Sequence, residues 1–349
     1  MRLTLTFIIL SLFLLIQGCK YNSSRNKFSK FPIELKPKAI STGFTPHFKF
    51  AHLNIYDSLL IITETQTMHT MHLYNKNTFK HVLSAGKKGR GPGEIKNSGP
   101  DMFDKKGGIV WTNDWGRFKI SQWRLDSLVN NKNYKPSLEY NTPSCIWPVT
   151  QFSMLNDSIM LYLTKNPDYF FYAATKEGKI VDSLNIINNT NIYPDVNRNN
   201  IISPRWYYYT IHPTKKKICI AYEYADIILG LNFKGNILFQ KQGPDNIIGD
   251  PKKISNSGQK ATYSLLHSDS EFIYCLYNGN KLVERNKNGN HKINYAKNLA
   301  VFNWDGKPLA RLELEHPAIS YAVDRENNKI YTYAPNLGEI ICYKLPQIQ

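Results

Sequence analysis

The sequence predicts an all-β fold, a six-bladed β-propeller of four-stranded blades. Beyond residue 45, short runs rich in Ile, Tyr, Phe and Val alternate with turns of Asn, Asp, Gly and Lys, and no helical period is sustained. A turn that precedes a strongly apolar run recurs six times, centred near residues 57, 107, 157, 215, 270 and 327. A repeat at nearly constant spacing is typical of solenoids and propellers.

A second series of turns lies out of phase with the first, and each of its members stands between two strand-like runs. Its members are Asn75-Lys76-Asn77, Leu125-Asp126-Ser127, Lys176-Glu177-Gly178, Phe233-Lys234-Gly235-Asn236 and Trp304-Asp305-Gly306-Lys307. Two hairpins per repeat predict four strands per blade. Repeating the blades around an axis leaves few free sheet edges.

The last repeat is one strand short, because the chain ends soon after Ile340-Ile341-Cys342-Tyr343. The segment Ile33-Glu34-Leu35-Lys36 is a spare strand ahead of the first repeat, so we expect it to complete the sixth blade and close the ring. The fifth repeat contains a polar insertion, residues 278–298, which we expect to be an excursion from its blade.

The N-terminus has the pattern of an export signal. Arg2 precedes an apolar run from Leu3 to Ile16, which is shorter than the roughly 20 residues that span a bilayer as a helix. Gly18 stands before Cys19, as in bacterial lipoprotein signals. We therefore expect a signal peptide over residues 1–18, lipid attachment at Cys19, a tether over 19–30 and a propeller over 31–349; ordinary secretion is the alternative.

The charge distribution and the spacing of the cysteines argue against nucleic-acid binding and against a metal site. The net charge is +17, but the excess Lys is distributed over separate turns and follows an export signal, so we expect a basic surface near anionic lipid or polysaccharide and no nucleic acid. The other cysteines, Cys145, Cys219, Cys275 and Cys342, are widely spaced. They lie in apolar, strand-like stretches, which predicts buried free thiols and no metal site.

A glycine-rich stretch over residues 86–95 is the most distinctive motif. Gly89, Gly91, Pro92, Gly93 and Glu94 follow the first repeat, where the chain crosses to the next blade. Glycines suit positive φ in such a crossover, and its N–H groups could also form an anion-binding nest.

Together with the later Asn113-Asp114…Arg117-Phe118 segment, the glycine-rich stretch resembles the repeat of NHL-type propellers and the TolB-like six-bladed propeller lipoproteins of Bacteroidetes. The resemblance implies the fold and an envelope location, and no particular activity. Acidic residues just after the lipidated cysteine would resemble the surface-export signal of Bacteroidetes lipoproteins. Residues 20–30 contain none, which favours the periplasmic side of the outer membrane.

Local catalytic signatures are absent from the sequence, and no cofactor is expected. It contains no Gly-x-Ser-x-Gly, His-Glu-x-x-His, Walker or EF-hand motif. His69 and His72 would point to opposite faces of a strand, which disfavours a shared metal. Asp101 and Asp104 could act together as in glycosidases, but blade-turn carboxylates are the simpler interpretation.

The loops that follow the second strands, together with the blade crossovers, form the predicted ligand face. Its candidate residues are Asp114, Trp115, Arg117, Asp168, Arg198, Arg205, Trp206 and Glu223. Aromatic rings beside Arg and Asp suit a glycan or a peptide carboxylate, although Trp115 and Trp206 could simply pack between blades.

Three functional hypotheses follow. The first is a lipid-anchored scaffold that binds an envelope protein or a glycan, and the lack of a catalytic motif favours it. The second is a propeller enzyme, a glycan hydrolase or lyase, whose catalytic groups come from different blades. The third is a purely structural component of an assembly. Because a propeller fold hosts many activities, the fold does not separate them.

Overall fold

The computed structural model describes residues 27–46, 48–131, 133–136, 138–146, 149–164, 171–184, 207–249, 259–285 and 291–348. These residues form the six blades of a β-propeller, which confirms the predicted fold class. They also contain one short helix, α1 (Leu125–Asn130), where the sequence predicted a turn, and one 3₁₀ turn, Ser144–Ile146.

Two strands precede the blades, β1 (Ile33–Leu35) and β2 (Ala39–Ser41). Blade 1 contains β3 (His52–Tyr56), β4 (Leu59–Thr63), β5 (His69–Asn75) and β6 (His81–Lys87). Blade 2 contains β7 (Met102–Asp104), β8 (Ile109–Asp114), β9 (Lys119–Arg124) and β10 (Glu139–Asn141). Blade 3 contains β11 (Val149–Met154), β12 (Ile159–Thr164), β13 (Phe171–Thr175) and β14 (Ile180–Leu184).

Blade 4 contains β15 (Tyr207–Ile211), β16 (Lys217–Tyr222), β17 (Ile227–Asn232) and β18 (Ile237–Gln242). Blade 5 begins with β19 (Tyr263–Ser268) and β20 (Phe272–Tyr277), and a small hairpin of β21 (Val283–Arg285) and β22 (His291–Ile293) lies within the predicted insertion. Its outer strands are β23 (Ala296–Asn303) and β24 (Pro308–Ala318). Blade 6 contains β25 (Ser320–Asp324), β26 (Lys329–Ala334) and β27 (Glu339–Lys344).

An N-terminal strand closes the ring, as expected, but it is not the strand that the sequence suggested. The outer strand of blade 6 is β2, in which Ala39 pairs with Tyr343 and Ser41 with Ile341, antiparallel to β27. The expected strand, Ile33–Leu35, instead pairs parallel with β24 and becomes a fifth strand of blade 5. An outer edge that would otherwise face solvent is thereby covered in both blades.

Apolar side chains fill the spaces between neighbouring blades. The second strands are the most deeply buried: Ile109–Asp114 and Phe272–Tyr277 are buried at every position, and Leu59–Thr63, Lys217–Tyr222 and Lys329–Ala334 at every position after the first. Both faces of such a strand pack on an adjacent blade, so its sequence is a continuous apolar run without alternation. The six strongly apolar runs that revealed the repeat are therefore the second strands.

The antiparallel blades divide the connections between two ends of the propeller. The loops between second and third strands and the crossovers between blades lie at one end, which we call the crossover end. The turns between first and second strands, such as Lys105–Gly108 and Asp269–Glu271, lie at the opposite turn end. Within the described ranges, no helix is long and apolar enough to cross a membrane.

Candidate functional site

The innermost strands surround a central channel with a volume of about 1070 Å³. In β3 the side chains of Leu53 and Ile55 are buried between blades, whereas His52 and Asn54 face the channel. The inner strands β11, β15 and β19 contribute further polar side chains to the lining. They include Gln151, Ser153, Thr210 and His267.

The interior of the channel carries little charge near neutral pH. Burial, together with the nearby His52, lowers the pKa of His267 to about 4. The surrounding protein also lowers the pKa of His52, although the Glu64 carboxylate opposes this effect. Burial raises the pKa of Asp101 to about 8, against a hydrogen bond from the Asn113 N–H. Two neutral imidazoles and a neutral carboxyl group therefore line the channel at pH 7.

Asp101 and Asp104 both line the channel but have different surroundings. Asp101 Oδ1 accepts a long hydrogen bond of 3.4 Å from the Asn113 N–H, and Oδ2 is buried without a partner among the described residues. Asp104 Oδ1 accepts from the N–H groups of Lys106 (3.1 Å) and Gly107 (3.3 Å). Asp104 thus stabilises the turn between β7 and β8, in agreement with the simpler interpretation.

The channel opens at the turn end, where its rim carries both signs of charge. Lys105 and Lys106 project from the turn of blade 2, and Lys215 and Lys216 from that of blade 4. Arg325 of blade 6 lies 3.4 Å from the Asp269 carboxylate of blade 5. A ligand that enters the channel from this end first meets a charged rim and then a neutral polar interior.

At the crossover end, Asp114 and Arg117 bind the chain that joins blades 1 and 2. The Asp114 carboxylate accepts hydrogen bonds from the N–H groups of Lys96 (2.9 Å), Asn97 (3.1 Å) and Gly116 (2.9 Å). The Arg117 guanidinium donates to the carbonyl oxygens of Glu94 (2.6 Å) and Gly91 (3.3 Å). In this structure, both predicted ligand-face residues hold the crossover in place.

Trp115 packs over the same crossover. A Cβ atom added at Gly99 would lie 2.5 Å from Trp115 Nε1, so only glycine permits the indole to approach the backbone this closely. The structure thus supports the packing interpretation for Trp115.

The glycine-rich motif is folded around one carboxylate. Glu94 accepts a hydrogen bond from the Gly91 N–H (2.8 Å) and forms an ion pair of 3.3 Å with Lys87. Gly93 has a φ of +76°, and an added Cβ at Gly89 would collide with the Glu94 side chain. Pro92 lies between these glycines, and the Gly91 N–H of the proposed anion nest donates to the Glu94 carboxylate, while the Gly89 N–H donates to the Ile95 carbonyl oxygen.

Glu223 also lies at the crossover end, directly after β16 of blade 4. It is 6% exposed, and burial raises its pKa to about 7. Glu64 occupies the same position after β4 and accepts hydrogen bonds from the N–H groups of Phe50 (2.7 Å) and Gln66 (2.8 Å). The other predicted site residues, Cys19, Asp168, Arg198, Arg205 and Trp206, lie outside the described residues.

Of the histidine pair in β5, His72 is held by hydrogen bonds within the protein. The rings of His69 and His72 are 6.4 Å apart, and the two ring nitrogens of His72 lie 2.9 Å from Ser84 Oγ and 3.1 Å from Thr67 Oγ1. In the part of the chain that the structure describes, no three His, Cys, Asp or Glu side chains form a group that could hold a metal ion.

The sequence did not reveal the channel-lining residues, because each inner strand contributes only a few of them and the channel forms only when the blades assemble. A weak signal was present in the alternation His52-Leu53-Asn54-Ile55, in which polar and apolar residues exchange at every step. In an inner strand this pattern places the polar residues on the channel side.

The comparisons with known proteins agree with the fold. Two solved structures, a member of the DUF4221 family from Bacteroides vulgatus and a putative exported protein from Bacteroides fragilis, superpose with TM-scores of 0.60 and 0.54 at 11% and 10% identity. They cover 90% and 92% of this chain, and 99% of each of the two proteins is covered. No curated protein is significantly similar in sequence. The model of the TolB-like six-bladed propellers matches residues 30–326, and the chain therefore belongs to that family.

Proposed function

We propose that the protein is a lipid-anchored binding scaffold of the cell envelope, which binds a partner protein or a glycan in its central channel. Attachment through Cys19 on the periplasmic side of the outer membrane is part of this proposal, and the Gly18-Cys19 signal pattern supports it. The observation that carries the binding role is the channel of about 1070 Å³ with its polar lining. Concave sites of this size with a few convergent polar groups are typical ligand sites.

The chemistry of the lining favours neutral, hydrogen-bonding ligands. Neutral His52 and His267 both donate and accept hydrogen bonds, as does the Gln151 amide, although its Oε1 already accepts from the Tyr209 N–H at 3.1 Å. Sugar hydroxyls and peptide amides match such groups without requiring a buried counter-charge. An ionic ligand would lose its hydration in the interior without gaining a charged partner.

A blocked channel tests this proposal. Asn54→Trp places a large side chain in the channel, whereas Asn77→Trp places the same side chain on an exposed turn of the same blade. Each variant and the wild-type protein are used to capture envelope proteins and soluble glycans, with washes at low and high salt. We expect salt-resistant capture by the wild type and by N77W, and its loss in N54W. Equal capture by all three would place the binding elsewhere on the molecule.

A glycan hydrolase or lyase is the second candidate, and the raised pKa of the Asp101 carboxyl group in the channel is the observation in its favour. A carboxyl group with a pKa of about 8 retains its proton at neutral pH, as a general acid must. Turnover of envelope polysaccharides by the wild type and its loss in Asp101→Asn would support this activity. Binding without turnover would leave the scaffold role.

A further inference from the structure

Exposed apolar side chains are concentrated at the crossover end of the propeller. Large hydrophobic residues that are between 41% and 62% exposed occur there in the connections of five blades. They are Phe50, Met68, Phe118, Ile248, Ile293 and Leu337. Among the described residues of the turn end, Val129 is the one counterpart, and the other exposed hydrophobics lie on outer strands.

Five of these six side chains stand in loops, and Ile293 ends the short strand β22. The carbonyl oxygen of Met68 accepts from the Lys88 N–H (2.8 Å), and that of Phe118 accepts from the Thr142 N–H (2.8 Å), so the backbones are fixed while the side chains point outward. Phe118 has a φ of +55°, a conformation that is unfavourable for a bulky residue. The protein thus maintains an exposed phenyl ring at a cost in backbone energy.

Cations accompany the apolar side chains at this end. The exposed ones in its described segments include Lys49, Arg90, Lys96, Lys260, Lys281 and Lys292. Several acidic groups nearby are buried or paired: Glu64 is 1% exposed, and Asp114 lies 3.7 Å from the Arg117 guanidinium. An apolar surface with surrounding Lys and Arg has the composition of proteins that bind the interface of an anionic bilayer.

The chain enters the propeller at the same end. Gln242 is the last residue of β18 before the crossover to blade 5. Lys27 forms a parallel β-bridge with it, and the Phe28 N–H donates to its carbonyl oxygen (3.1 Å). The rings of Phe28 and Phe31 pack edge-on against Phe302, with centroids 6.0 and 5.4 Å away, which fixes this entry point. Eight peptide units separate Cys19 from Lys27, and such a segment spans at most about 29 Å.

We infer that the crossover end lies on the phospholipid bilayer that carries the Cys19 anchor, with its exposed apolar side chains in the interface and its cations at the headgroups. This inference rests on the anchor of the proposed function. A short tether that enters at the apolar end brings that end to the membrane. The turn end, with the mouth of the channel, then faces the aqueous compartment from which a ligand arrives.

Hydroxyl-radical footprinting of the lipidated full-length protein tests the orientation. The protein is reconstituted into vesicles of phosphatidylethanolamine and phosphatidylglycerol, and oxidation of Phe50, Met68 and Phe118 is compared with that of Val82 and Leu238. The latter two lie on outer strands and are 42% and 46% exposed, about as much as Phe118 at 41%. The reference is the Cys19→Ser chain without vesicles. Relative to it, we expect several-fold slower oxidation of the three crossover-end residues and unchanged oxidation of Val82 and Leu238.

A pair of double variants identifies the side chains that make the contact. Phe50→Ser with Met68→Ser should restore much of the oxidation of Phe118 on vesicles, whereas Val82→Ser with Leu238→Ser should leave its protection unchanged. Vesicle flotation is measured first. A protein that does not float overturns the anchor and this inference together. A protein that floats but whose three loop residues are oxidised at the unprotected rate overturns only the orientation. Protection in native envelopes but not on pure lipid also overturns it, because it indicates a protein partner at this end.

Discussion

The Lys76 ammonium lies 2.7 Å from a carboxylate oxygen of Asp324, and the two side chains are only 7% and 3% exposed. Lys76 belongs to the turn between β5 and β6, and Asp324 ends the inner strand of blade 6, so the pair spans the seam where the ring closes. Burial opposes ionisation, but hydrogen bonds from Lys76 and Asn327 lower the pKa of Asp324 overall. The first and last blades are thus joined by a buried ion pair as well as by the β2 strand.

Lys76→Met should therefore destabilise the protein by about 3 to 5 kcal/mol, because it leaves a buried carboxylate without its counter-ion. Denaturant unfolding at neutral pH measures the change. Lys36→Met is the matched control, since the Lys36–Glu313 pair has the same 2.7 Å separation but is 77% and 46% exposed. We expect a much smaller effect, because solvent screens an exposed pair. Equal effects of the two substitutions would contradict the role assigned to the seam.

Asp114→Ala should destabilise the protein by about 1.5 to 3 kcal/mol and loosen the crossover between blades 1 and 2, since three N–H groups lose a charged acceptor. Hydrogen exchange should accelerate at residues 89–99 and remain unchanged in blade 5. The control is Asp305→Ala, which removes an 80% exposed carboxylate from a surface pair with Lys217. Normal exchange at 89–99 in D114A would show that the glycine-rich motif folds without it.

The fold was predictable because each blade repeats one strong signal, the buried second strand. The closing strand was misplaced because Ile33–Leu35 and Ala39–Ser41 are equally short, and only the geometry of the last two blades decides which edge each one covers. The turn at Leu125 became helix α1 since the buried side chains of Leu125 and Leu128 are one helical turn apart. The channel combines a few residues from each of several blades, which no local pattern displays.

The cysteine prediction was correct for three residues and wrong for one. Cys219, Cys275 and Cys342 are buried free thiols, whereas Cys145 is an exposed free thiol in the 3₁₀ turn and not in a strand. Burial raises the pKa of the three buried thiols. A native protein lipidated at Cys19 should therefore have one fast-reacting thiol towards a thiolate-selective reagent, which Cys145→Ser removes. Two fast thiols in the native chain would show that Cys19 is not modified.

Asp101 should make stability decrease as the pH rises. Burial raises its pKa from 3.8 to about 8, so between these values the native state retains a proton that the unfolded chain has lost. The free energy of unfolding therefore falls between about pH 4 and pH 8 and is level above that range, as far as this group is concerned. Asp101→Asn should remove this contribution, so that its stability relative to the wild type increases towards pH 8. Asp104→Asn retains Asp101 and should follow the wild-type slope; a constant difference between D101N and the wild type across this range would show that Asp101 is ionised in the native channel.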